Sequence, residues 1–416
     1  MNDMPQVTPS QLLPTDSQTP GQGSPPPCLR IFKRPGFAEC WLTLHAPIGM
    51  ATSQAAQALF CDAAKVLAEH GIEPIQEKIY GLVSAKEAIL HERMIAYQAR
   101  RLDPGLPLTW VEGKPIDGTA FAGLQIWGVI PYRQDVAVST IGRGTMRGRR
   151  LNGPDFELVY FPGLTGSDGN GKLLGGVTGE ATQMYLNAEQ VLQQAGLTFL
   201  DVGRTWIYMA QILNWYGEFN RVRTAFFRPR HVGDRAMGHA FPASTGIQGR
   251  SGDEACQMDV LAGRSTANQR LFVPLNRSSR QEQAMEYGSA FSRGMMLDID
   301  GGQTAFISGT ASIGPDGKTR FLDSVEGQIL ETLLSIAALL QSIGAGLQDI
   351  TSATLFCKDA ATLEVFQKLT HLLGIPQLPI LPIVADVCRA DLLLEIEAVV
   401  AVPQAVGRAS VPGVPS

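Results

Sequence analysis

Apolar positions along the chain fall into one pattern that is repeated three times. The strings ECWLTLHAPIG (39–49), FELVYFPGLTG (156–166) and TAFISGTASIG (304–314) alternate or run apolar and end on glycine, as a strand entering a tight turn does. Each is followed by a stretch with apolar residues at i, i+3, i+4 and i+7: AAQALFCDAAKVLAEHG, TQMYLNAEQVLQQAG and EGQILETLLSIAALLQSIG. That spacing predicts a helix stopped by its glycine, at Gly71, Gly196 and Gly344. The strands EPIQEKIYGL, DVGRTWIYMA and DITSATLFCK come next, then a second helix. A long strand region behind a proline closes each copy: LPLTWVEG with AGLQIWGVI, FPASTGIQ with ACQMDVLAG, and LPILPIVADVCRADLLLEIEAVV. The expectation is an α/β (α+β) fold of three tandem units over 28–150, 151–290 and 291–403. Residues 1–27 and 404–416, rich in Pro, Ser, Gln and Thr or in Pro, Val and Gly, read as tails that cannot bury enough apolar surface to order themselves.

Composition narrows the class. With 416 residues and 44% hydrophobics, the chain can build about two to four cores. No apolar run approaches the roughly 20 residues of a membrane span, and no basic-then-apolar leader is read, which points to a cytoplasmic protein without a membrane partner. A net charge of −5 argues against a nucleic-acid partner. The basic run GRGTMRGRR (142–150) carries no interleaved aromatics and reads as a solvated loop. Six cysteines without C-x-x-C spacing and dispersed histidines indicate neither a disulfide framework nor a metal, and no cofactor is expected. GSDGNGK (166–172) imitates a phosphate loop but has Leu173 after the lysine, so it reads as a turn.

The closing strand of the third copy carries the candidate chemistry. Alternation in LLLEIEAVV puts Glu395 and Glu397 on one face and Leu394 and Ile396 on the other. Two carboxylates on one face of an apolar strand repel each other and are desolvated, which raises at least one pKa into the range of a general acid. Glu395 is the catalytic candidate. Glu397 is expected to cap a helix or to pair with an arginine of a neighbouring copy.

The repeated unit resembles the YjgF/RidA fold, through FISGTASIG, the Gly327-Gln328 pair, DITSATLFCKD and LEIEAVV. Members of that family are normally homotrimers with clefts between subunits, so three copies in one chain imply a monomer that imitates the trimer, its sheets inside. The arginine that anchors imine substrates in the family's deaminases matches Thr109, Ser244 and Ile380 here. The last-strand carboxylate matches Glu395, whereas the first two copies carry 124–127 and 257–259 in that stretch. One acid site remains.

One active cleft in a fused pseudo-trimer is similar to the chorismatases, which hydrolyse the enolpyruvyl ether of chorismate. RTWIY (204–208), PASTGI (242–247), FISGTAS (306–312) and CRADLLLEIE (388–397) carry this resemblance, while EFNRVRTAFFRPR keeps Phe226 and Arg230 but has Arg223 in place of the family's tyrosine. The resemblance implies a proton delivered to carbon by Glu395, with chorismate as small-molecule partner. Guanidinium forks for its two carboxylates are expected from Arg230 and Arg204, with Tyr208 on the same strand face as Arg204 and Ser244 in the cleft. Gly309 and Cys388 match the pair that accompanies 3-hydroxybenzoate as product. Seven residues separate Cys388 from Glu395, so a bend or bulge near Arg389 is needed to bring both into one cleft. A divergent imine deaminase and a non-catalytic protein that binds small carboxylates are the competing readings.

Overall fold

The structure, a computed structural model, describes residues 26–116, 119–168, 171–250, 253–267, 270–275, 280 and 290–403. The tail expected over 404–416, and all but the last two residues of that expected over 1–27, lie outside them. The first unit contains β1 (Cys28–Lys33), β2 (Phe37–His45), α1 (Thr52–His70), β3 (Glu73–Gly81), α2 (Lys86–Ala99), β4 (Thr109–Glu112) and β5 (Phe121–Pro131). The second contains β6 (Ala137–Arg143), β7 (Met146–Asn152), β8 (Phe156–Thr165), α3 (Val177–Gln194), β9 (Val202–Met209), α4 (Ile212–Phe227), β10 (Ala243–Gln248) and β11 (Cys256–Ser265). The third contains β12 (Phe272–Leu275), β13 (Gly294–Ile299), β14 (Gly302–Thr310), α5 (Val325–Ser342), β15 (Ile350–Cys357), α6 (Ala360–Leu372), β16 (Ile380–Val384) and β17 (Leu394–Pro403).

Strand order repeats with the chain. The sheets run β1-β2-β5-β3-β4, β6-β7-β8-β11-β9-β10 and β12-β13-β14-β17-β15-β16. In each, the last two strands are parallel, β4 on β3, β10 on β9 and β16 on β15. The helices stop where glycine takes the left-handed conformation, with φ of 64° at Gly71, 76° at Gly196 and 75° at Gly344, a region closed to most other residues by their Cβ. Among the described residues no helix is long and apolar enough to cross a membrane.

Three expectations are corrected. Each closing strand region is two strands, because the apolar run is broken by a turn; in the third unit residues 385–393 leave the sheet between β16 and β17. The basic run 142–150 is not a loop but most of the β6–β7 hairpin, where Arg149 is buried and donates to the Pro74 carbonyl at 2.9 Å. That hairpin pairs with β8, so the second sheet begins at Ala137 rather than at 151, and β12 brings the start of the third sheet to Phe272 rather than 291.

Each sheet has one face on its own helices and one on the other sheets. Alternation makes this division: Leu394, Ile396, Ala398 and Val400 of β17 join the helix-side core, whereas Val399 and Ala401 face the centre. The central core draws Trp41 and Trp127 from the first unit, Tyr160 and Trp206 from the second, and Phe306 and Phe356 from the third. Trp127 and Trp206 both set their edges on Phe306, at centroid distances of 6.0 and 6.3 Å. The packing is cyclic. Strands β3 and β4 meet β7 and β8, β9 and β10 meet β13 and β14, and β15 and β16 meet β2 and β5. A head-to-tail interface repeated three times closes into a ring, which yields a pseudo-threefold axis within one chain. Three equivalent clefts result.

Candidate active site

The cleft between the second and third units gathers the candidate chemistry. With its mouth included it has about 520 Å³ of atom-free space. Tyr216 and Arg223 of α4 with Ser244 and Gly246 of β10 form one wall. Phe291, Arg293, Gly309, Cys388, Arg389 and Glu395 form the other.

Glu395 and Glu397 both face inward from β17 and are buried, yet their surroundings differ. Glu397 is held from all sides. Its Oε2 accepts from Arg204 Nη2 of the second unit at 2.7 Å, and its Oε1 lies 3.6 Å from Lys78 Nζ of the first. Burial pushes its carboxyl up, but Lys78, Arg204 and Thr245 outweigh that and hold it below the ordinary value. Glu395, two residues earlier, receives no side-chain hydrogen bond among the described residues. Burial first, and then repulsion from Glu397, push its pKa up to about 8, with Arg204 and Arg293 pulling the other way. At neutral pH it is a protonated acid on the wall of a cleft.

A bulge in β14 aims the backbone at this point. Ile307 pairs with Ala398 and Thr310 with Ile396, so Ser308 and Gly309 together stand opposite Glu397. The Gly309 N–H donates to Thr245 Oγ1 at 3.0 Å, and Arg204 Nη2 reaches the same hydroxyl at 2.5 Å. A Cβ at 309 would stand 1.9 Å from Glu395 Oε1, so only glycine leaves the carboxyl where it is.

Four of the sequence candidates are brought together: Glu395, Gly309, Ser244 and Cys388. Cys388 arrives by the bend expected near Arg389: the chain bends at Cys388 and Arg389 and turns at Ala390 before β17 begins. Burial and the neighbouring Glu395 push its thiol up to about 12, and it is neutral.

The other three are elsewhere. Arg230 does not enter the cleft: it follows α4 and forms a bidentate pair with Glu189 at 2.6 and 2.7 Å on the helix side of the sheet. Arg204 stands behind the cleft, engaged with Glu397 and Thr245. Tyr208 is in the central core. The guanidinium groups lining the cleft are Arg223, Arg293 and Arg389. Arg223 stands one turn from Phe219 and Phe226 on α4, and Arg389 next to Cys388. Arg293 directly precedes β13, in a sequence with no motif, and nothing in the one-dimensional pattern marks it. Burial lowers Arg293 to about 10, which leaves it charged at neutral pH. Among the described residues no three His, Cys, Asp or Glu side chains gather as metal ligands.

No protein-family model matches the chain. The 3-hydroxybenzoate synthase of Streptomyces hygroscopicus is 29% identical over 250 residues, which cover 53% of this chain and 69% of its own. The crystal structure of a chorismatase superposes with a TM-score of 0.56 at 18% identity, covering 79% of this chain and 93% of its own. In sequence the chain resembles a 3-hydroxybenzoate synthase, and in fold a chorismatase. RidA from the Antarctic bacterium Psychrobacter sp. PAMC 21119 covers 32% of this chain and 100% of its own, at 15% identity and a TM-score of 0.25.

Strand register defines the equivalents of each cleft residue. Glu395 pairs with Phe356, Gln257 with Tyr208 and Gly123 with Tyr80, so Glu395, Gln257 and Gly123 are counterparts. Two residues on, Glu397, Asp259 and Gln125 correspond. Ser244 and Ile380 also correspond, but Thr109 is aligned with Thr245 and Leu381, one place beyond the expected match. The acid at the first position therefore occurs in one cleft of the three.

Proposed function

We propose that the chain cleaves the enolpyruvyl ether of chorismate to pyruvate and a ring acid, with Glu395 as general acid. The observation that supports this best is a carboxyl that is protonated at neutral pH and faces a cleft lined by three arginines. With Glu395 neutral, the lining carries a positive excess suited to a substrate with two carboxylates, and guanidinium can grip each with two parallel hydrogen bonds.

Glu395 gives its proton to the methylene carbon of the enolpyruvyl group, and the adjacent carbon becomes an oxocarbenium ion. Water adds there, the resulting hemiketal loses a proton and breaks its bond to the ring oxygen, and pyruvate leaves. If the ring then expels its own hydroxyl as water and aromatises, 3-hydroxybenzoate forms and the two products together contain the atoms of chorismate. If it does not, a dihydroxycyclohexadiene acid remains and one water is consumed. The proton transfer is worth about 10²–10⁴ in rate. Arg204 and Glu397 act as positioning residues, because they fix Thr245 and through it the Gly309 backbone on which the acid lies.

The 3-hydroxybenzoate branch is the reading we favour for the product, on the name of the Streptomyces hygroscopicus relative and on the Gly309 and Cys388 pair. Incubation with chorismate tests the function. Pyruvate should appear in step with one ring acid identified by chromatography. Absence of pyruvate over the buffer control overturns the reading, and ammonia release from an imino acid would replace it with the deaminase.

A further inference from the structure

A second cavity lies on the pseudo-threefold axis, apart from the cleft. With its mouth included it has about 410 Å³ of atom-free space, and it is lined from all three units. Trp41, Trp127, Trp206 and Phe306 give it aromatic walls, and Lys78 and Arg204 face it with Glu397 as their shared counter-ion. Two cations against one carboxylate leave a positive excess in the lining.

The donors are also in excess. Arg204 uses Nη2 for Thr245 and Glu397, but its Nε and Nη1 meet no acceptor among the described residues. The same holds for the indole Nε1 of Trp41 and of Trp127. All three residues are at least nine-tenths buried, with exposures of 1% for Arg204, 2% for Trp41 and 3% for Trp127. A buried N–H without an acceptor costs about 1–3 kcal/mol, more when it is charged. Four such N–H positions around one space, all donors and none an acceptor, describe the inside of an anion site. Gln76, Ser352 and Val399 are the lining residues that keep partial exposure, and they mark its mouth.

We propose that the axial cavity binds a small monoanion, of halide or acetate size, held by the Arg204 guanidinium and the indole N–H groups of Trp41 and Trp127, with the Lys78 ammonium alongside. A single negative charge matches the excess of the lining. The proposal does not depend on the reaction in the cleft.

Bromide is the probe. Crystals of the full chain grown with sodium bromide in place of chloride should show an anomalous peak on the axis within hydrogen-bond reach of both indoles and Arg204. Peaks confined to the protein surface, or an axis filled only by water, overturn the proposal. In solution, iodide should quench tryptophan fluorescence saturably, since three of the chain's five tryptophans line the cavity. Acetate should compete with iodide and sulfate should not; preference for sulfate overturns the monoanion assignment. Trp41→Phe with Trp127→Phe should weaken iodide binding at least about tenfold, and unchanged binding means the indoles are not ligands. If that double variant does not fold, the bromide peak in the unaltered chain decides.

Discussion

The clefts on either side of the second unit are built from the same strands in the same register, and they differ in where their polar groups end. Between the first and second units, Gln257 stands in the place of Glu395, its Nε2 donating to the Trp110 carbonyl at 2.7 Å and its Oε1 accepting from Arg250 at 3.1 Å. Asp259 accepts from Thr109 at 2.8 Å, from Tyr160 at 2.7 Å and from the Gly163 N–H at 2.8 Å. Every one of these groups finds its partner within the protein, and the interface is closed. Between the second and third units the equivalent bonds are drawn one row deeper. Thr245 is engaged by Arg204 and the Gly309 N–H, Glu397 by Arg204 and Lys78, and Glu395 is left with the cleft in front of it. The remaining cleft could not carry an acid at all. Gly123 adopts a φ of +149° and a Cβ there would lie 2.2 Å from the Leu44 carbonyl oxygen. A fused trimer can thus keep one site and turn two into interface, because satisfied polar groups rigidify a seam whereas an unsatisfied one needs a ligand.

The comparison breaks first at Glu395. Glu395→Gln keeps the shape and removes the proton, so pyruvate release from chorismate should fall about 10²–10⁴-fold with chorismate binding retained. Activity within tenfold of the unaltered chain would mean that the proton comes from elsewhere. The same variant has a signature in stability. The carboxyl's folded pKa of about 8 is raised above its ordinary 4.5, so the stability it confers is full below about pH 4.5 and is lost as pH rises through 8. Melting of the unaltered chain should therefore fall relative to Glu395→Gln between about pH 4.5 and 8 and level off above that, and turnover should fall as pH rises through 8; parallel melting curves contradict the raised pKa.

Next come the arginines. Arg293→Ala should lower kcat/KM for chorismate about ten- to hundredfold, the worth of a charge-assisted hydrogen bond. Arg230→Ala, which removes a partner of Glu189 outside the cleft, should leave kcat/KM within about twofold. The opposite ranking would return Arg230 to the site.

Gln257→Glu sharpens the comparison from the closed side. It puts a carboxylate against the Trp110 carbonyl where an amide N–H stood, and should destabilise the fold by about 1–3 kcal/mol in urea unfolding without creating a second active cleft. Full stability would mean that this seam is looser than its hydrogen bonds imply.

The smallest change concerns the product. Gly309→Ala with Cys388→Val is expected to alter the ratio of 3-hydroxybenzoate to dihydroxycyclohexadiene acid while pyruvate release continues at a reduced rate. The reduction arises because the new methyl group meets Glu395 Oε1 before it meets a ring. An unchanged ratio removes these two positions from product control.

Much of this molecule is written in its local pattern. The three apolar repeats, the helix-stopping glycines and the shared face of Glu395 and Glu397 follow from periods of 3.6 and 2 and from the Cβ restriction on positive φ, all of which act within a few residues. What the chain could not announce is which side chains meet across a seam. Arg230 and Arg223 lie on the same short stretch, but only the packing of α4 against β10 and the third unit decides that Arg223 faces the cleft and that Arg230 turns to Glu189. Arg293 and Arg389 come from turns whose direction is set by the sheet they join. The pKa of Glu395 is likewise a tertiary property. Its identity and strand position are local, whereas the burial and the repulsion from Glu397 that leave it protonated against the pull of Arg204 and Arg293, and the Lys78 and Arg204 contacts that keep Glu397 ionised, arise only when closure of the ring brings the three units together.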